Sequence, residues 1–95
     1  MFVVSLNYKV DLAEIDRLIP AHTIFLEACY ANGLFIASGP KEPRSGGVIL
    51  AQAASLDVLN QVLKKDPFYI AGVAEYEVTE FMPSKTAAGF EKLMD

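Results

Sequence analysis

The sequence predicts a single α+β domain whose elements follow the order strand, helix, strand, strand, helix, strand. Three observations favour this fold class. The chain has 95 residues, which is enough for one domain core and too few for two. Apolar residues make up 53% of the chain and charged residues 21%, a balance typical of a globular protein. Four stretches are patterned like strands, and two have the apolar period of a helix.

The first strand and the first helix are predicted in the N-terminal third. The residues from Phe2 to Tyr8 alternate between two faces, which indicates a strand. Asp11 is expected to begin the helix, with Glu14 three residues later in a capping-box arrangement. An apolar stripe then recurs at spacings of three and four, formed by Leu12, Ile15, Ile19, His22, Leu26 and Cys29.

Two further features belong to this helix. A proline inside a helix removes one backbone hydrogen bond, so Pro20 is expected to kink the helix or to split it in two. The part that follows Pro20 carries the only histidine of the chain, His22. Asn32-Gly33 is a C-cap signal and predicts the end of the helix.

A hairpin with a long loop is predicted next. Residues 34–38 form its first strand, which Gly39-Pro40 is expected to close, and residues 48–53 form its second strand. Both strands are apolar on both faces, whereas a sheet covered by helices on one side alternates. The second face is therefore expected to be covered by the sheet of another copy in a twofold homodimer. The alternative is a helix of the C-terminal tail that folds across the sheet.

The second helix is predicted between Ser55 and Asp66. Ser55 is expected to cap its first turn, and Lys64 and Lys65 are expected in its last turn, where cations suit the helix dipole. Asp66-Pro67-Phe68 is expected to end the helix.

The last strand is predicted over residues 74–81. The domain is then expected to cover residues 1–83, followed by a tail of residues 84–95 with a short helix near residues 86–94. The complete order is the βαββαβ order of the ferredoxin-like fold, in which an antiparallel four-stranded sheet carries its helices on one face.

Composition and charge exclude several classes of function. The net charge of −4 and the absence of a basic stripe argue against nucleic-acid binding. Lys41 and Arg44 form a small positive spot, as do Lys64 and Lys65, and solubility is the ordinary interpretation of each. One cysteine and one histidine form neither a disulfide nor a metal site. No apolar run has the length of a membrane helix, and the N-terminus is patterned as a strand, so a cytoplasmic protein is expected.

His22 and Asp66 are the residues best suited to proton transfer. An unperturbed imidazole titrates near neutral pH, and His22 shares the apolar stripe that faces the sheet. Both helices of a βαββαβ fold lie on the same sheet face, so Asp66 at the end of the second helix could orient His22 as a general base. The ordinary interpretations are a histidine held in the core and an aspartate that forms a turn.

Two other features are candidates for holding a ligand. Ser38-Gly39-Pro40 offers a hydroxyl and a backbone that a ligand can approach closely, although an ordinary exit from a strand is the simpler interpretation. Arg17 could bind an anion if the bend at Pro20 redirects it, whereas its default is an exposed contact with Glu14.

At these residues the sequence closely resembles the YciI-like (YCII-related) family. The resemblance covers about residues 2–83, and its pieces are short, but their order and spacing are fairly specific. The matching elements are Arg17, Pro20, His22, Phe25-Leu26, Gly33, Ser38-Gly39-Pro40, Gly46-Gly47-Val48, Asp66-Pro67-Phe68 and Phe81.

This resemblance implies a ferredoxin-like fold of the dimeric α/β-barrel type and a His–Asp pair at His22 and Asp66. Some members of the family remove HCl from chlorinated muconate-type acids, and muconolactone isomerases share the fold. No cofactor or metal is implied. The ligand is expected to be a small, anionic molecule held by the remaining candidate residues, which are Arg17, Ser38, Gly39, Pro40 and Phe68.

Three functional hypotheses stay open from the sequence. The first is a small enzyme that uses the His–Asp pair for elimination or isomerisation of an organic acid. The second is a binding or regulatory module that holds a metabolite without turnover. The third is a histidine with a purely structural role.

Overall fold

The computed structural model describes residues 1–94. Its elements are β1 (Phe2–Tyr8), α1 (Leu12–Ala31), β2 (Phe35–Pro40), β3 (Gly46–Ala51), α2 (Leu56–Leu63), α3 (Pro67–Ile70), β4 (Ala74–Glu80) and a final 3₁₀ turn (Glu91–Met94). The strands form one antiparallel sheet in the order β2-β3-β1-β4. This is the ferredoxin-like arrangement, so the predicted fold class is confirmed.

The core lies between the helices and one face of the sheet. Alternate residues of the central strand β1, which are Phe2, Val4 and Leu6, are at most 2% exposed. They pack in one cluster with Ile15 of α1 and Leu59 of α2. Full burial of each such side chain contributes about 1.5–3 kcal/mol, so this layer holds both helices on the same sheet face.

The first turn of α1 differs from the prediction. Asp11 is the N-cap residue, but its side chain makes no capping hydrogen bond. Glu14 instead forms an ion pair with Arg17, one helical turn further along. The predicted start of the helix is therefore confirmed, and the reciprocal capping box is wrong because Arg17 provides the carboxylate of Glu14 with a charged partner.

Helix α1 continues through Pro20 without interruption, so the predicted split does not occur. Ile15 before the proline and Cys29 after it are both buried in the same core. The packing of both halves on one sheet compensates for the missing backbone hydrogen bond. Asn32 ends the helix, and Gly33 follows with a φ of 82°, a left-handed conformation that favours glycine.

Strand β2 is longer than predicted and has an irregular register. It runs on through Ser38 and ends at Pro40, so Gly39-Pro40 does close the strand, as its last two residues. An edge strand tolerates a proline because the missing N–H can face away from the sheet, and β2 is an edge strand. The register shifts by one residue between Phe35 and Ala37. This bulge places Ser38, which pairs with Ile49, on the helix side of the sheet.

Strand β3 begins and ends two residues earlier than predicted. It starts at Gly46, whose backbone approaches β1 so closely that a Cβ atom there would lie 1.7 Å from the carbonyl oxygen of Leu6. Only glycine fits this position. Because Gly46 has no Cβ atom, the chain can pair with β1 as soon as it leaves the hairpin loop, and β3 starts there.

The end of α2 contains an element that the sequence did not predict. Ser55 caps α2 through a hydrogen bond from the N–H of Val58, as expected, but Lys64 and Lys65 lie just beyond the last helical residue. Asp66 then begins the separate short helix α3, with Pro67 in its first turn. The motif that was expected only to end α2 thus also starts the next helix.

The tail after β4 is less helical than expected. Of the predicted helix near residues 86–94, the structure has only the 3₁₀ turn Glu91–Met94, and Gly89 before it has a φ of 96°. The turn lies beside the end of the sheet, where Leu93 and Met94 line a shallow cleft with Met1 and Gln52. Asp95, the last residue of the predicted tail, lies outside the described residues.

Candidate functional site

Asp66 is a fully buried carboxylate that three donors hold in place. Its Oδ1 accepts a hydrogen bond of 3.0 Å from the backbone N–H of Phe68 and so caps α3. The same Oδ1 lies 2.7 Å from Nδ1 of His22. Its Oδ2 accepts a hydrogen bond of 2.6 Å from the hydroxyl of Tyr76 in β4. A buried charged group needs such partners, and these come from three different elements.

His22 lies between this carboxylate and an aromatic layer. Its ring is nearly parallel to that of Phe68, at an angle of 7° and a centroid distance of 3.9 Å, and it also lies against Phe25. The side chain of His22 is only 12% exposed. Asp66 and Phe68 therefore fix both the position and the plane of the imidazole, and the motif Asp66-Pro67-Phe68 carries both contacts.

The hydrogen bonds around Asp66 determine which nitrogen of His22 carries the proton. A carboxylate that accepts from Phe68 and Tyr76 acts as an acceptor on both oxygens, so Nδ1 of His22 is the donor. In the neutral ring, Nε2 is then unprotonated. Nε2 has no hydrogen-bond partner among residues 1–94, and no unpartnered polar side-chain atom of these residues is buried, so this nitrogen is accessible.

Tyr76 completes the group as a buried phenol. Burial, the hydrogen bond to Asp66 and the negative charge of Asp66 raise the pKa of Tyr76 far above its ordinary value. The phenol therefore stays protonated and continues to donate to Oδ2 over the whole physiological range. This leaves Oδ1 for His22.

Beside His22 lies a pocket with a volume of about 290 Å³. Its walls come from α1, the three strands β1, β2 and β3, and α3. They are mostly apolar, with a few polar groups at the edges, an arrangement typical of sites for small molecules. The lining includes Tyr8, His22, Ser38, Arg44 and Phe68, together with the apolar Leu6, Leu26 and Ile49.

The structure brings six of the seven predicted site residues together. His22 and Asp66 are in contact, and Phe68 lies against His22. The segment Ser38-Gly39-Pro40 lines the pocket next to His22. The hydroxyl of Ser38 reaches the helix side because of the bulge in β2, and it is hydrogen-bonded to the hydroxyl of Tyr30.

Arg17 is the exception. Its side chain is 70% exposed, pairs with Glu14 and does not line the pocket. This is the default contact that its spacing from Glu14 predicts, and helix α1 runs unbroken through Pro20. The guanidinium that does line the pocket belongs to Arg44, in the loop between β2 and β3.

Sequence reasoning missed three residues of the site. Tyr8 and Tyr76 could have been found, because the alternation of their strands places both on the helix side, where a phenol needs a polar partner. Arg44 had no such signal, since a loop residue has no period that indicates its direction.

The described residues contain no group of three or more His, Cys, Asp or Glu side chains that could hold a metal ion. None of the helices in residues 1–94 is long and apolar enough to cross a membrane.

Comparison with known proteins identifies the family. The YCII-related domain matches residues 1–82, which is most of the chain. The chain therefore belongs to the YCII-related family, and the predicted resemblance is confirmed. A search of curated proteins finds no match.

A solved structure of similar fold comes from Burkholderia phenoliruptrix AC1100. It is 5-chloro-2-hydroxyhydroquinone dehydrochlorinase (TftG), in complex with 2,5-dihydroxybenzoquinone. The similarity has a TM-score of 0.71, covers 84% of this chain and 91% of that chain, and is accompanied by 22% sequence identity. At 22% sequence identity, the similarity establishes that the two chains share a fold.

Proposed function

We propose that this protein is a small enzyme in which His22 transfers a proton to and from an organic acid. The observation that carries the proposal is the contact of 2.7 Å between Nδ1 of His22 and Oδ1 of Asp66, with the opposite nitrogen accessible beside a pocket. A histidine with a purely structural role does not need an accessible Nε2. The two side chains supply the base and its orienting partner, so the step requires no cofactor.

The proposed step is the removal of a proton from carbon. Nε2 of His22 takes the proton, and the ring becomes an imidazolium that Asp66 stabilises through Nδ1–H. The imidazolium also lies over the face of Phe68, where a cation is attracted. In an isomerisation the same proton returns to a different carbon. In an elimination the electron pair of the broken C–H bond forms a double bond, and the leaving group departs with its own bonding pair.

The dehydrochlorinase activity of the structural neighbour supports this class of reaction. A dehydrochlorinase removes HCl from its substrate, and such an elimination needs a base and no oxidant. The two chains share the fold at 22% identity. The proposal therefore extends to eliminations and isomerisations as a class and does not name the chlorinated compound as the substrate.

Deuterium exchange tests the proposal without knowledge of the final product. A panel of small carboxylic acids and hydroxylated rings, including 5-chloro-2-hydroxyhydroquinone, is incubated with the protein in D₂O. Proton NMR then detects the loss of C–H signals, and a chloride assay detects elimination. We expect His22→Gln to reduce the rate by about 10²–10⁴-fold, the usual contribution of a positioned base. Ile24→Ala, in an exposed part of the same helix, is the control and should keep full activity.

Two results would contradict the proposed enzymatic function. One is exchange or chloride release at the same rate in His22→Gln as in the wild type. The other is that panel compounds bind in the pocket and none of them undergoes exchange or elimination, which is the behaviour of the alternative, a non-catalytic binding module.

We also propose that the protein is a homodimer joined through the outer face of its sheet. Val3, Val48 and Leu50 alternate with core residues and therefore face away from the helices. Val48 is 39% exposed, and Val3 and Leu50 are half-buried. The tail residues Met82, Leu93 and Met94 line a cleft at the end of the sheet with Met1 and Gln52. A second copy is therefore our candidate to cover the apolar strip.

A further inference from the structure

The pocket beside His22 has an electrostatic character that the whole chain does not share. The chain carries 12 acidic residues and a net charge of −4. None of the described residues that line the pocket is Asp or Glu, and Arg44 is the lysine or arginine among them. Tyr8, Thr23 and Ser38 add hydroxyl groups. This lining is suited to a negatively charged ligand.

Arg44 is held in place at the side of the pocket. Its Nη2 donates a hydrogen bond of 2.5 Å to Oδ1 of Asp16 in α1. The hydrogen bond to Asp16 raises the pKa of Arg44, and the phenol of Tyr8 contributes a smaller increase. The loop that carries Arg44 is tied to the sheet by a backbone hydrogen bond of 2.9 Å from Tyr8 to Ser45. The guanidinium therefore has a defined location.

Asp16 does not use up the binding capacity of Arg44. A guanidinium has five N–H donors, and the contact with Asp16 uses one of its nitrogens. The side chain of Asp16 is 58% exposed and that of Arg44 37% exposed, so water screens this ion pair. An anion in the pocket can therefore share the guanidinium with Asp16.

The distance from Arg44 to the base limits the size of the ligand. Asp16 and His22 are six residues apart on α1, or about 9 Å along the helix axis. Since Arg44 contacts Asp16, its guanidinium lies about this distance from His22 along the helix. Apolar side chains, including Leu6 and Ile49, line the same pocket. A volume of about 290 Å³ is at the small end for ligand pockets, which suits a molecule of the size of a single substituted ring.

We propose that Arg44 binds the acidic group of the ligand and thereby selects organic anions with a compact, apolar body. The charged group lies at the β2–β3 loop, and the body of the ligand extends towards Nε2 of His22. The assignment of the far end to a reacting carbon rests on the proposed function. The selection of an anion by Arg44 does not depend on it.

The test compares two probes of the same shape that differ in charge, benzoate and benzamide. Binding is followed by ¹H–¹⁵N chemical-shift titration of the full chain, which also reports where each probe binds and whether each variant is folded. We expect the wild type to bind benzoate about tenfold more tightly than benzamide, since a charge-assisted contact is stronger than a neutral one. Arg44→Gln should remove this preference. Arg17→Gln removes the same charge from an exposed site of α1 and should keep it.

Several outcomes would overturn the inference. They are equal binding of the two probes to the wild type, an unchanged preference in Arg44→Gln, the same loss in Arg17→Gln, and no binding of benzoate at millimolar concentration. His22→Gln separates this inference from the proposed function. If the preference for benzoate depends on Arg44 and persists in His22→Gln, the anion site stands even when no deuterium exchange is found.

Discussion

At the scale of single residues, the site depends on how Asp66 distributes its two oxygens. Oδ1 serves both the start of α3 and the imidazole of His22, and Oδ2 serves Tyr76. One side chain thus joins a structural role to a functional one. Removal of any donor would leave part of a buried carboxylate without a partner, which costs about 1–3 kcal/mol.

The phenol of Tyr76 makes this arrangement sensitive to alkaline pH. Because its pKa is raised above the ordinary 10.0 in the folded protein, the folded state binds one more proton than the unfolded chain above that pH. This contribution to stability is fully present below pH 10.0 and decreases as the pH rises beyond it. We expect Tyr76→Phe to lose less stability than the wild type between neutral pH and the alkaline range, as measured by urea unfolding.

The absorbance of tyrosinate provides the control for this prediction. In the folded state at alkaline pH, the wild type and Tyr76→Phe should show the same tyrosinate signal, because the removed phenol does not ionise there. After unfolding, the wild type should show one tyrosinate more. A difference of one tyrosinate while both proteins are folded would contradict the account.

At the scale of secondary structure elements, the hairpin of β2 and β3 shapes the pocket through local irregularities. The bulge after Phe35 turns Ser38 towards the helices. Gly46 brings β3 against β1 at the point where the loop of Arg44 returns to the sheet. These features set which residues line the pocket.

Gly46 and Gly39 form a matched pair for testing this interpretation. A Cβ atom at Gly46 would meet the backbone of Leu6 at 1.7 Å, whereas one at Gly39 would have nothing within 4 Å. We expect Gly46→Ala to lower the free energy of unfolding by more than about 3 kcal/mol and Gly39→Ala to change it by less than about 1 kcal/mol. Chemical denaturation measures both, and similar values for the two variants would show that the close approach to Leu6 is not a constraint.

The same elements show what the sequence could and could not predict. His22 and Asp66 were predictable together because helical spacing placed one on the sheet side and Asp-Pro-Phe placed the other at a helix end. The bulge in β2 was not predictable from the sequence. A run of apolar residues such as Leu34 to Ala37 has no alternation from which a shift in register could be detected. The sequence favours Arg17 over Arg44 as the anion-binding residue because helical periodicity predicts the face on which a helix residue lies. A loop has no such period, so the position of Arg44 could not be predicted.

At the scale of the whole molecule, the outer face of the sheet is expected to join two copies. His22 and Asp66 lie on the opposite, helix-covered face, and both belong to the same chain. A dimer would thus bury the apolar strip of Val3, Val48 and Leu50 without occupying the helix side of the sheet.

The position of Val48 allows a direct test of the dimer. We expect light scattering to give twice the chain mass of 10.4 kDa for the wild type and the single mass for Val48→Asp, because a carboxylate would be buried in the interface. Ile24→Asp introduces the same charge at a 69% exposed residue of α1 and should leave the dimer intact. A wild type that stays monomeric at high concentration, or a Val48→Asp variant that stays dimeric, would refute the predicted interface.

The central claim is that Asp66 holds His22 with the proton on Nδ1 and leaves Nε2 as the base. Because His22 is the single histidine of the chain, ¹⁵N NMR of the imidazole nitrogens reports on it without overlap. In the neutral ring we expect Nδ1 to carry the proton and Nε2 to carry none, with this preference lost in Asp66→Asn. A wild-type spectrum in which Nε2 carries the proton would contradict the account, because the nitrogen that faces the ligand would then be unable to accept one.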